Sequence, residues 1–329
     1  MVAIYHAPCP ETMCKCPPGD CYFLHRARCS SLGTGHHPWL ALHHQQMKLH
    51  FTILISLLTT SRIAGQEPDR QLAIDAGIYA GLMNSLTDIG AGGSRSQLLK
   101  NISPGARPAA GLYGQVLIRE RAGILVSLQH GTIAAADQTS EGTAPARAAR
   151  NLSFRSSMTE AGLMLGICII NKRWYGDEGV HRFSVCVTGG ASLFRFNPKA
   201  RLDGRWYTLR EYRLEGQGFD NYPDRVLYRL IQLALPAGLR VDRELTTGLK
   251  LGFECIYRVT FTDYLDDVST TYIDPSLFDI YFNPAKASVA RRLQYRQENG
   301  SRFQAGQPRG NAKKNDAWFS VMLKLGVSL

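Results

Sequence analysis

The sequence lacks long apolar runs after its first 65 residues, so no transmembrane helix is predicted there. Cysteine is scarce in the same region. Only Cys168, Cys186 and Cys255 occur in it, and an odd number within predicted strands gives no disulfide framework. After residue 65, histidine is limited to His130 and His181, which the predicted strands place at opposite ends. Without a Gly-x-Ser-x-Gly elbow beside them, we expect no nucleophilic catalysis, no cofactor and no enzyme activity.

The start of the chain predicts export. Lys48 and His50 follow a second possible start at Met47, and residues 51–58 form an apolar stretch of signal-peptide length. Small residues then lead to a predicted cleavage between Gly65 and Gln66. The alternative is a buried core segment. We therefore divide the chain in three, all as expectations. Residues 1–46 are a disordered upstream extension that is not native, 47–65 a signal peptide, and 66–329 one barrel domain.

The net charge of the exported part is positive but gives no nucleic-acid footprint. From Gln66 onward there are 33 Lys and Arg against 25 Asp and Glu. These basic residues are scattered over strand ends and loops rather than gathered into a stripe. We therefore expect outer-membrane lipid as a partner, or an acidic protein, and no nucleic acid.

The last twelve residues carry the clearest structural pattern. Between Trp318 and Leu329 every second residue is apolar, beginning at Phe319 and ending at the terminus. A period of two is typical of a strand with two different faces. A strand of this length at the chain end, with one continuous apolar face, indicates the closing strand of an outer-membrane barrel.

Seven earlier segments repeat this alternation. The predicted strands are residues 72–83, 109–119, 122–132, 159–170, 182–196, 226–241, 245–262 and 318–329. Charged turns are expected at 119–121 and 242–244, and long links at 84–108, 133–158, 197–225 and 263–317. Short and long connections therefore alternate, as they do in outer-membrane barrels with periplasmic short turns. The predicted fold class is all-β: a closed antiparallel eight-stranded transmembrane barrel with long loops on one rim.

Charged residues decide which face of the strands points inward. Lys250, Glu254, Arg258 and Arg240 occupy one face of two neighbouring strands, together with Lys324 of the last strand. On the lipid face each charge would cost about 2–4 kcal/mol near the middle of the membrane. We therefore predict a polar cluster in the lumen, where these charges can pair. A soluble barrel with a polar exterior would show the same alternation.

Three segments carry a resemblance to a known family. Phe261-Thr-Asp-Tyr-Leu-Asp-Asp-Val-Ser269, followed by Thr271-Tyr-Ile-Asp-Pro275, is similar to a signature of outer-membrane barrels grouped with the type IX secretion system. Arg309-Gly-Asn311 with Asn315-Asp316 and the final strand resembles the ending of that family, and Gly77-Ile-Tyr-Ala-Gly81 with Asp88 resembles its opening. The resemblance implies an outer-membrane barrel of about eight strands. It also implies a role in protein secretion, with periplasmic ring or secretion-machine proteins as partners.

The segment after the seventh predicted strand is rich in carboxylates. We single out five residues there as candidate contacts with a partner: Asp263, Tyr264, Asp266, Asp267 and Asp274. Such a cluster can also hold Ca²⁺, but the spacing lacks the glycine and the terminal glutamate of an EF-hand. We expect no metal. The other alternative is a loop that caps the rim and pairs with Arg291, Arg292 and Arg296.

A basic stretch runs from the end of the fifth predicted strand into the long link that follows it. Its residues are Arg195, Arg201, Arg205 and Arg210, with Trp206 and Tyr207 among them. They could meet lipid phosphates or a partner, or form a solvated loop. The sequence as a whole favours a non-enzymatic structural or anchoring protein of the cell outer membrane, in a secretion or envelope assembly. The alternatives are a small-solute pore or a lipid-binding barrel.

Overall fold

Nine strands form a single antiparallel sheet in the part of the chain that the computed structural model describes, which is residues 72–90, 105–119, 121–140, 145–176, 179–297 and 303–329. The strands are β1 (Leu72–Leu86), β2 (Arg107–Ile118), β3 (Ala122–Ala136), β4 (Ser153–Gly176), β5 (Gly179–Leu202), β6 (Arg205–Thr208), β7 (Ile231–Thr246), β8 (Leu249–Thr260) and β9 (Ala317–Ser328). The predictions for residues 1–46 and 47–65 lie outside the described residues.

Eight of these strands close into a barrel. Their order is β4-β3-β2-β1-β9-β8-β7-β5, and pairing of β4 with β5 closes the ring. The short strand β6 extends the edge of β5, where Arg201 pairs with Trp206. The first and last strands meet in an antiparallel ladder from Asp75↔Ser328 to Leu86↔Ala317. The predicted closed eight-stranded antiparallel fold is confirmed.

The two faces of the barrel differ in polarity. Apolar side chains point outward and are exposed on every barrel strand; on β9 they include Leu323, 63% exposed, and Leu325, 45% exposed. Polar and charged side chains point inward, and the buried ones include Lys324 between these two leucines. Because the side-chain period of a strand is two, this alternation separates an oily outer surface from a polar lumen.

The connections alternate in length around the ring. Short links join β2 to β3, β4 to β5 and β7 to β8 at the short-turn rim, whereas long links join β1 to β2, β3 to β4, β5 to β7 and β8 to β9 at the long-loop rim. The long links contain α1 (Pro145–Arg150), α2 (Leu277–Tyr281), α3 (Pro284–Gln294) and the 3₁₀ turns Asp137–Ser140 and Leu209–Glu211. Helix α3 begins where the Asn283 side chain accepts the Lys286 N–H and Pro284 occupies the first turn. None of the described helices has the length and apolarity needed to span a membrane.

Several predicted strand ends are wrong. The strands β4 and β5 each have 24 residues and extend beyond the predicted limits at both ends. The predicted turn at 242–244 lies inside β7, and the real turn is at 247–248. Asp242 belongs to the strand because it points into the lumen, where its Oδ1 accepts from Lys324 Nζ at 3.1 Å. A charged triplet therefore continues a strand when one of its charges has an interior partner.

Pro236 is accommodated at an interruption of one ladder. Proline has no N–H to donate, so it is rare in central strands. The β5–β7 ladder has pairs at Gly189↔Ala237 and Ser192↔Ala234 but none between them, opposite Leu235 and Pro236. On the other side Pro236 keeps its register with Arg258 of β8. One gap in the ladder therefore lets the strand pass the proline.

The expectation that there would be no disulfide is wrong. Cys168 of β4 and Cys186 of β5 form a cross-strand disulfide, and Cys255 is free and exposed. A β-bulge between Cys168 and Ile170 shifts the β4–β5 register by one residue. The register that starts at Gly176↔Gly179 would otherwise place Cys168 opposite Val187. The three cysteines of the described residues therefore form one disulfide and leave one unpaired thiol.

Candidate functional site

A buried aspartate links neighbouring strands inside the lumen near the short-turn rim. Asp75 of β1 accepts hydrogen bonds from Lys250 Nζ at 2.6 Å, Gln115 Nε2 at 2.6 Å and Ser328 Oγ at 2.7 Å. Both Asp75 and Lys250 are less than one tenth exposed. The predicted lumen residue Lys250 therefore connects β8 to β1 across the interior, with its charge compensated.

A second ion pair crosses the middle of the lumen. Arg258 Nε donates to the Glu160 carboxylate at 3.2–3.3 Å, and the same arginine donates to the Ile256 carbonyl at 2.8 Å and to Ser320 Oγ. Gln129, which lies on β3, also donates its Nε2 hydrogen to the Glu160 carboxylate. Neither charge of this pair is more than 4% exposed. The predicted lumen cluster included Arg258 but not its partner Glu160, although the alternation of the fourth predicted strand places Glu160 on the inward face.

The remaining predicted lumen residues also lie inside. Arg240 of β7 and Glu254 of β8 are register partners, and both are buried. Tyr113 adds an aromatic ring at this level, with Lys324 Nζ 4.3 Å from the ring centroid. An eight-stranded barrel is just wide enough for its side chains to fill. These inward-facing residues therefore form a packed polar core.

Aromatic rings close the lumen toward the long-loop rim. Trp318 lies edge-on to Phe194 with centroids 4.5 Å apart, and Phe194 is followed by Phe196 at 5.7 Å. Phe196 stacks on Tyr228 at 5.9 Å, and Tyr228 stacks on Tyr264 at 4.8 Å. Because the first three rings belong to barrel strands and the last two to long links, this aromatic series joins the lumen to the loops above it.

The long links fold into a cap with its own apolar core. Helices α2 and α3 and the segments around them bury twelve side chains completely or nearly so: Leu209, Leu214, Phe219, Tyr228, Leu265, Val268, Tyr272, Ile273, Phe278, Ala287, Ala290 and Leu293. Phe219 stacks face to face on Tyr281 at 3.9 Å, which ties the link 203–230 to α2. The described part of these loops is therefore a packed cap on the long-loop rim.

The five predicted contact residues divide between the interior and the surface of this cap. Asp263, Asp266 and Asp267 are buried, Tyr264 is partly buried, and Asp274 is exposed. Asp266 accepts the backbone N–H groups of Ile89 and Val268 at 2.9 Å each. Asp267 Oδ1 accepts the Tyr228 hydroxyl at 2.7 Å. Contact with a partner stays a prediction for this set, and in the structure the carboxylates of Asp266 and Asp267 hold segments of the cap together.

The predicted arginine partners of this acidic segment are wrong in two cases. Arg291 pairs with Asp279 at 2.6 Å and Arg292 with Asp203 at 2.5 Å, both on the surface. Arg309 instead enters the cap. Its Nη1 lies 2.9 Å from Glu215 Oε1 and 4.0 Å from Asp267 Oδ2. Arg309 belongs to the Arg-Gly-Asn segment of the family resemblance, so the sequence contained a signal for it.

Arg150 forms the second buried contact of the cap. Its Nε lies 2.8 Å from Asp137 Oδ2, and its Nη2 donates to the Asp88 carbonyl at 2.8 Å. It also donates to the carbonyl of Arg309. Arg150 thus joins the first, second and fourth long links at one point. Nothing in the sequence pattern marks this residue, because its partners are distant along the chain.

Burial raises the pKa values of the cap carboxylates. Desolvation, reinforced by the negative charge of Asp88, raises the pKa of Asp266 to about 7. Desolvation also raises the pKa of Asp267 to about 7, against the opposing effect of the Arg309 guanidinium. The pKa of Asp263 rises to about 8, again mainly through desolvation. The pKa of Asp316 is raised well above its usual value for the same reason. These buried carboxyls therefore stay protonated to a higher pH than ordinary aspartates.

Metal ligation and histidine chemistry find no site in the described ranges. No group of three or more His, Cys, Asp or Glu side chains there has the arrangement to hold a metal ion. His130 lies on the outer face of β3, where its Nδ1 is 2.8 Å from Thr159 Oγ1. His181 stacks on Trp174 beside a short turn, with centroids 5.7 Å apart. The two histidines are therefore not brought together.

A closed ring of eight strands, an apolar outer band and a packed polar lumen define the class of this protein, which is an outer-membrane-type β-barrel. No family model matches the chain, and no curated protein matches it. Among solved structures it is similar to Ail, the attachment invasion locus protein of Yersinia pestis, which was crystallised in complex with the heparin analogue sucrose octasulfate. The identity is 6%, the TM-score is 0.30, and the match covers 78% of this chain and 97% of Ail.

Proposed function

We propose that this protein is a non-enzymatic structural component of the cell outer membrane, which docks an envelope assembly of the type IX secretion kind at its short-turn rim. The resemblance of three sequence segments to barrels grouped with the type IX secretion system supports this choice of assembly. In outer-membrane barrels the short turns face the periplasm, so a periplasmic partner would meet this rim. The five predicted contact residues lie on the opposite, long-loop rim, so they are not the contacts proposed for this partner.

The observation that carries the proposal is the extension of β4 beyond its neighbour. The β3–β4 ladder ends at Ala122↔Ile167, whereas the β4–β5 ladder continues to Gly176↔Gly179. Past Ile167, β4 therefore pairs with β5 alone among the described strands. Ile169, 65% exposed, and Trp174, 40% exposed, project from this extension. A sheet edge with exposed apolar side chains can add a strand from a partner chain.

The lumen supports an anchoring role over transport. Ion pairs fill it at two levels, and the aromatic series from Trp318 to Tyr264 closes it toward the cap. An open channel would require these buried charges to separate and lose the partners that compensate them. The outer surfaces of the protein are consequently better candidates for its functional contacts than the lumen.

Site-specific photo-crosslinking in cells tests the proposal. A photoreactive side chain at Ile170, on the β4 extension, is expected to form an adduct with a periplasmic protein of the secretion machine. The matched control is the same side chain at Leu128, which is also exposed but lies within the apolar band. Equal adducts at both positions, or none at Ile170 in a folded barrel, would defeat the docking role. Stepwise conductance in planar bilayers would instead favour a pore.

A further inference from the structure

A group of cations lies on the outer face of β4 and β5, next to the apolar band. We define the cationic patch as Arg155, Arg195, Lys199 and Arg201. Each of these side chains alternates with buried, inward-facing neighbours, so all four point outward. Three of them are exposed and Lys199 is partly exposed. The patch is therefore on the surface that contacts lipid, and it is separate from the polar lumen.

The register of the sheet concentrates positive charge within the patch. Arg155 and Lys199 are direct cross-strand partners, so their Cβ atoms are roughly 5 Å apart. Arg201 follows Lys199 on the same face, roughly 7 Å further along the strand. Like charges directly opposite each other are destabilising. An anion bound between them would remove this repulsion.

No carboxylate in the described ranges supplies that anion. The salt bridges formed by described residues do not include any member of the cationic patch. Asp203, close to Arg201 in sequence, is engaged by Arg292 at 2.5 Å. Glu160 points into the lumen and is held by Arg258. The charge of the patch is thus left to a ligand or to solvent.

The position of the patch relative to the apolar band indicates which anion is available. Leu193 is the last outward apolar residue of β5 before Arg195, and Arg195 is the register partner of Ile231 on β7. Leu193 and Ile231 are each more than half exposed. The apolar band of a barrel spans the hydrocarbon layer, about 25 Å in height. Side chains just beyond it toward the long-loop rim lie at the headgroup level of the outer leaflet.

A groove adjoins the patch and combines charge with apolar surface. It has a volume of about 400 Å³, and its lining includes Arg155, Arg201 and Trp206 together with Leu86 and Phe319. Trp206 is the cross-strand partner of Arg201 and is half exposed. Tryptophan is enriched at membrane interfaces because its ring is amphipathic. Such a groove fits a molecule with an anionic head and an apolar body.

We propose that the cationic patch is a binding site for the phosphate groups of an anionic lipid of the outer leaflet. The phosphate lies between Arg155, Lys199 and Arg201, and the adjoining part of the lipid lies along the groove beside Trp206. Arginine is suited to this task because its planar guanidinium forms bidentate hydrogen bonds to phosphate oxygens. The site depends on the barrel being embedded in the membrane, and it is independent of docking at the opposite rim.

Equilibrium binding of lipid A with both phosphates to the detergent-solubilised full chain tests the site. The double variant Arg155→Gln/Lys199→Gln is expected to weaken binding roughly tenfold to thirtyfold, because each cation next to an anionic lipid contributes to affinity. The matched control is Arg121→Gln/Lys172→Gln, which removes the same charge from the short-turn rim and is expected to leave the affinity within about twofold. Heat-modifiable migration on gels shows that both variants remain folded.

Two further probes separate lipid from other anions. Lipid A without its phosphates is expected to bind at least as weakly as the double variant binds the phosphorylated form. Inorganic phosphate at the same concentration is expected not to compete. Equal affinity for both forms of lipid A, equal effects of the two double variants, or strong competition by inorganic phosphate would each overturn the proposal.

Discussion

Replacement of Arg258 with methionine is expected to destabilise the barrel by about 3–5 kcal/mol, because it leaves a buried carboxylate without its charged partner. In the lumen Glu160 then keeps only the Gln129 side chain as a donor. Ser320 Oγ and the Ile256 carbonyl lose a hydrogen bond as well. Methionine keeps an unbranched apolar stem and has no charge, so the change removes the guanidinium while it retains much of the packing.

A double variant separates the ion pair from the packing around it. Glu160→Gln combined with Arg258→Met removes both charges, and a buried pair replaced on both sides is often close to neutral. We therefore expect the double variant to recover most of the stability lost by Arg258→Met alone. The exposed pair between Arg291 and Asp279 gives the control, since Arg291→Met is expected to cost less than about 1 kcal/mol.

Urea titration of the barrel in lipid vesicles, followed by tryptophan fluorescence, measures these differences. Trp318 is a suitable reporter because its ring lies 5.9 Å from the Arg258 guanidinium. A loss of less than about 1 kcal/mol for Arg258→Met would refute the reasoning. The same conclusion would follow if the double variant were no more stable than the single one.

Three further predictions address the cap, the disulfide and the outer face. The pKa values of Asp266 and Asp267 are raised to about 7, so protonation of these two carboxyls favours the folded cap. The stability of the cap is therefore expected to fall as pH rises from about 4 to above 7, by up to about 1.4 kcal/mol per pH unit and group. Hydrogen exchange corrected for intrinsic rates measures this fall, and equal protection across that range would contradict it. Alkylation without reductant is expected to leave Cys168 and Cys186 unmodified, and reduction is expected to lower stability by about 2–4 kcal/mol. Leu323→Arg is expected to cost about 2–4 kcal/mol in lipid, whereas a cost below about 0.5 kcal/mol would mean that the outer face is not in contact with lipid.

The eight strands could be predicted because each one must separate lipid from lumen. That requirement imposes an alternation of buried and exposed side chains within the band, as in β9 from Val321 to Val327. It weakens at the rims, where both faces can meet polar surroundings. The errors in the predicted strands are therefore at their ends, as at the 242–244 turn and in the 24-residue strands β4 and β5. The alternation therefore predicted the number of barrel strands better than the residues at which each strand begins and ends.

The cap could not be predicted because its contacts join residues that are far apart in sequence. Arg309 and Glu215 are separated by 94 positions, and Ile89 and Asp266 by 177. No local pattern selects one arginine over another, so the alternative pairing of the acidic segment with Arg291 and Arg292, which are closer in sequence, is wrong. The disulfide was missed for a related reason. Its pairing depends on a one-residue bulge, which changes the partner of Cys168 from Val187 to Cys186.

The two rims of the barrel have to act through different surfaces. On the long-loop rim the cap engages its buried carboxylates and arginines internally, so what remains for a ligand is the outward face of β4 and β5 with the cationic patch. On the short-turn rim no such cap is described, and β4 continues to Gly176 beyond the end of the β3–β4 ladder at Ala122↔Ile167. About 25 Å of apolar band separates these surfaces. Substitutions in the patch should therefore change lipid affinity without changing crosslinking at Ile170, and coupled losses would mean that the band transmits strain from one rim to the other.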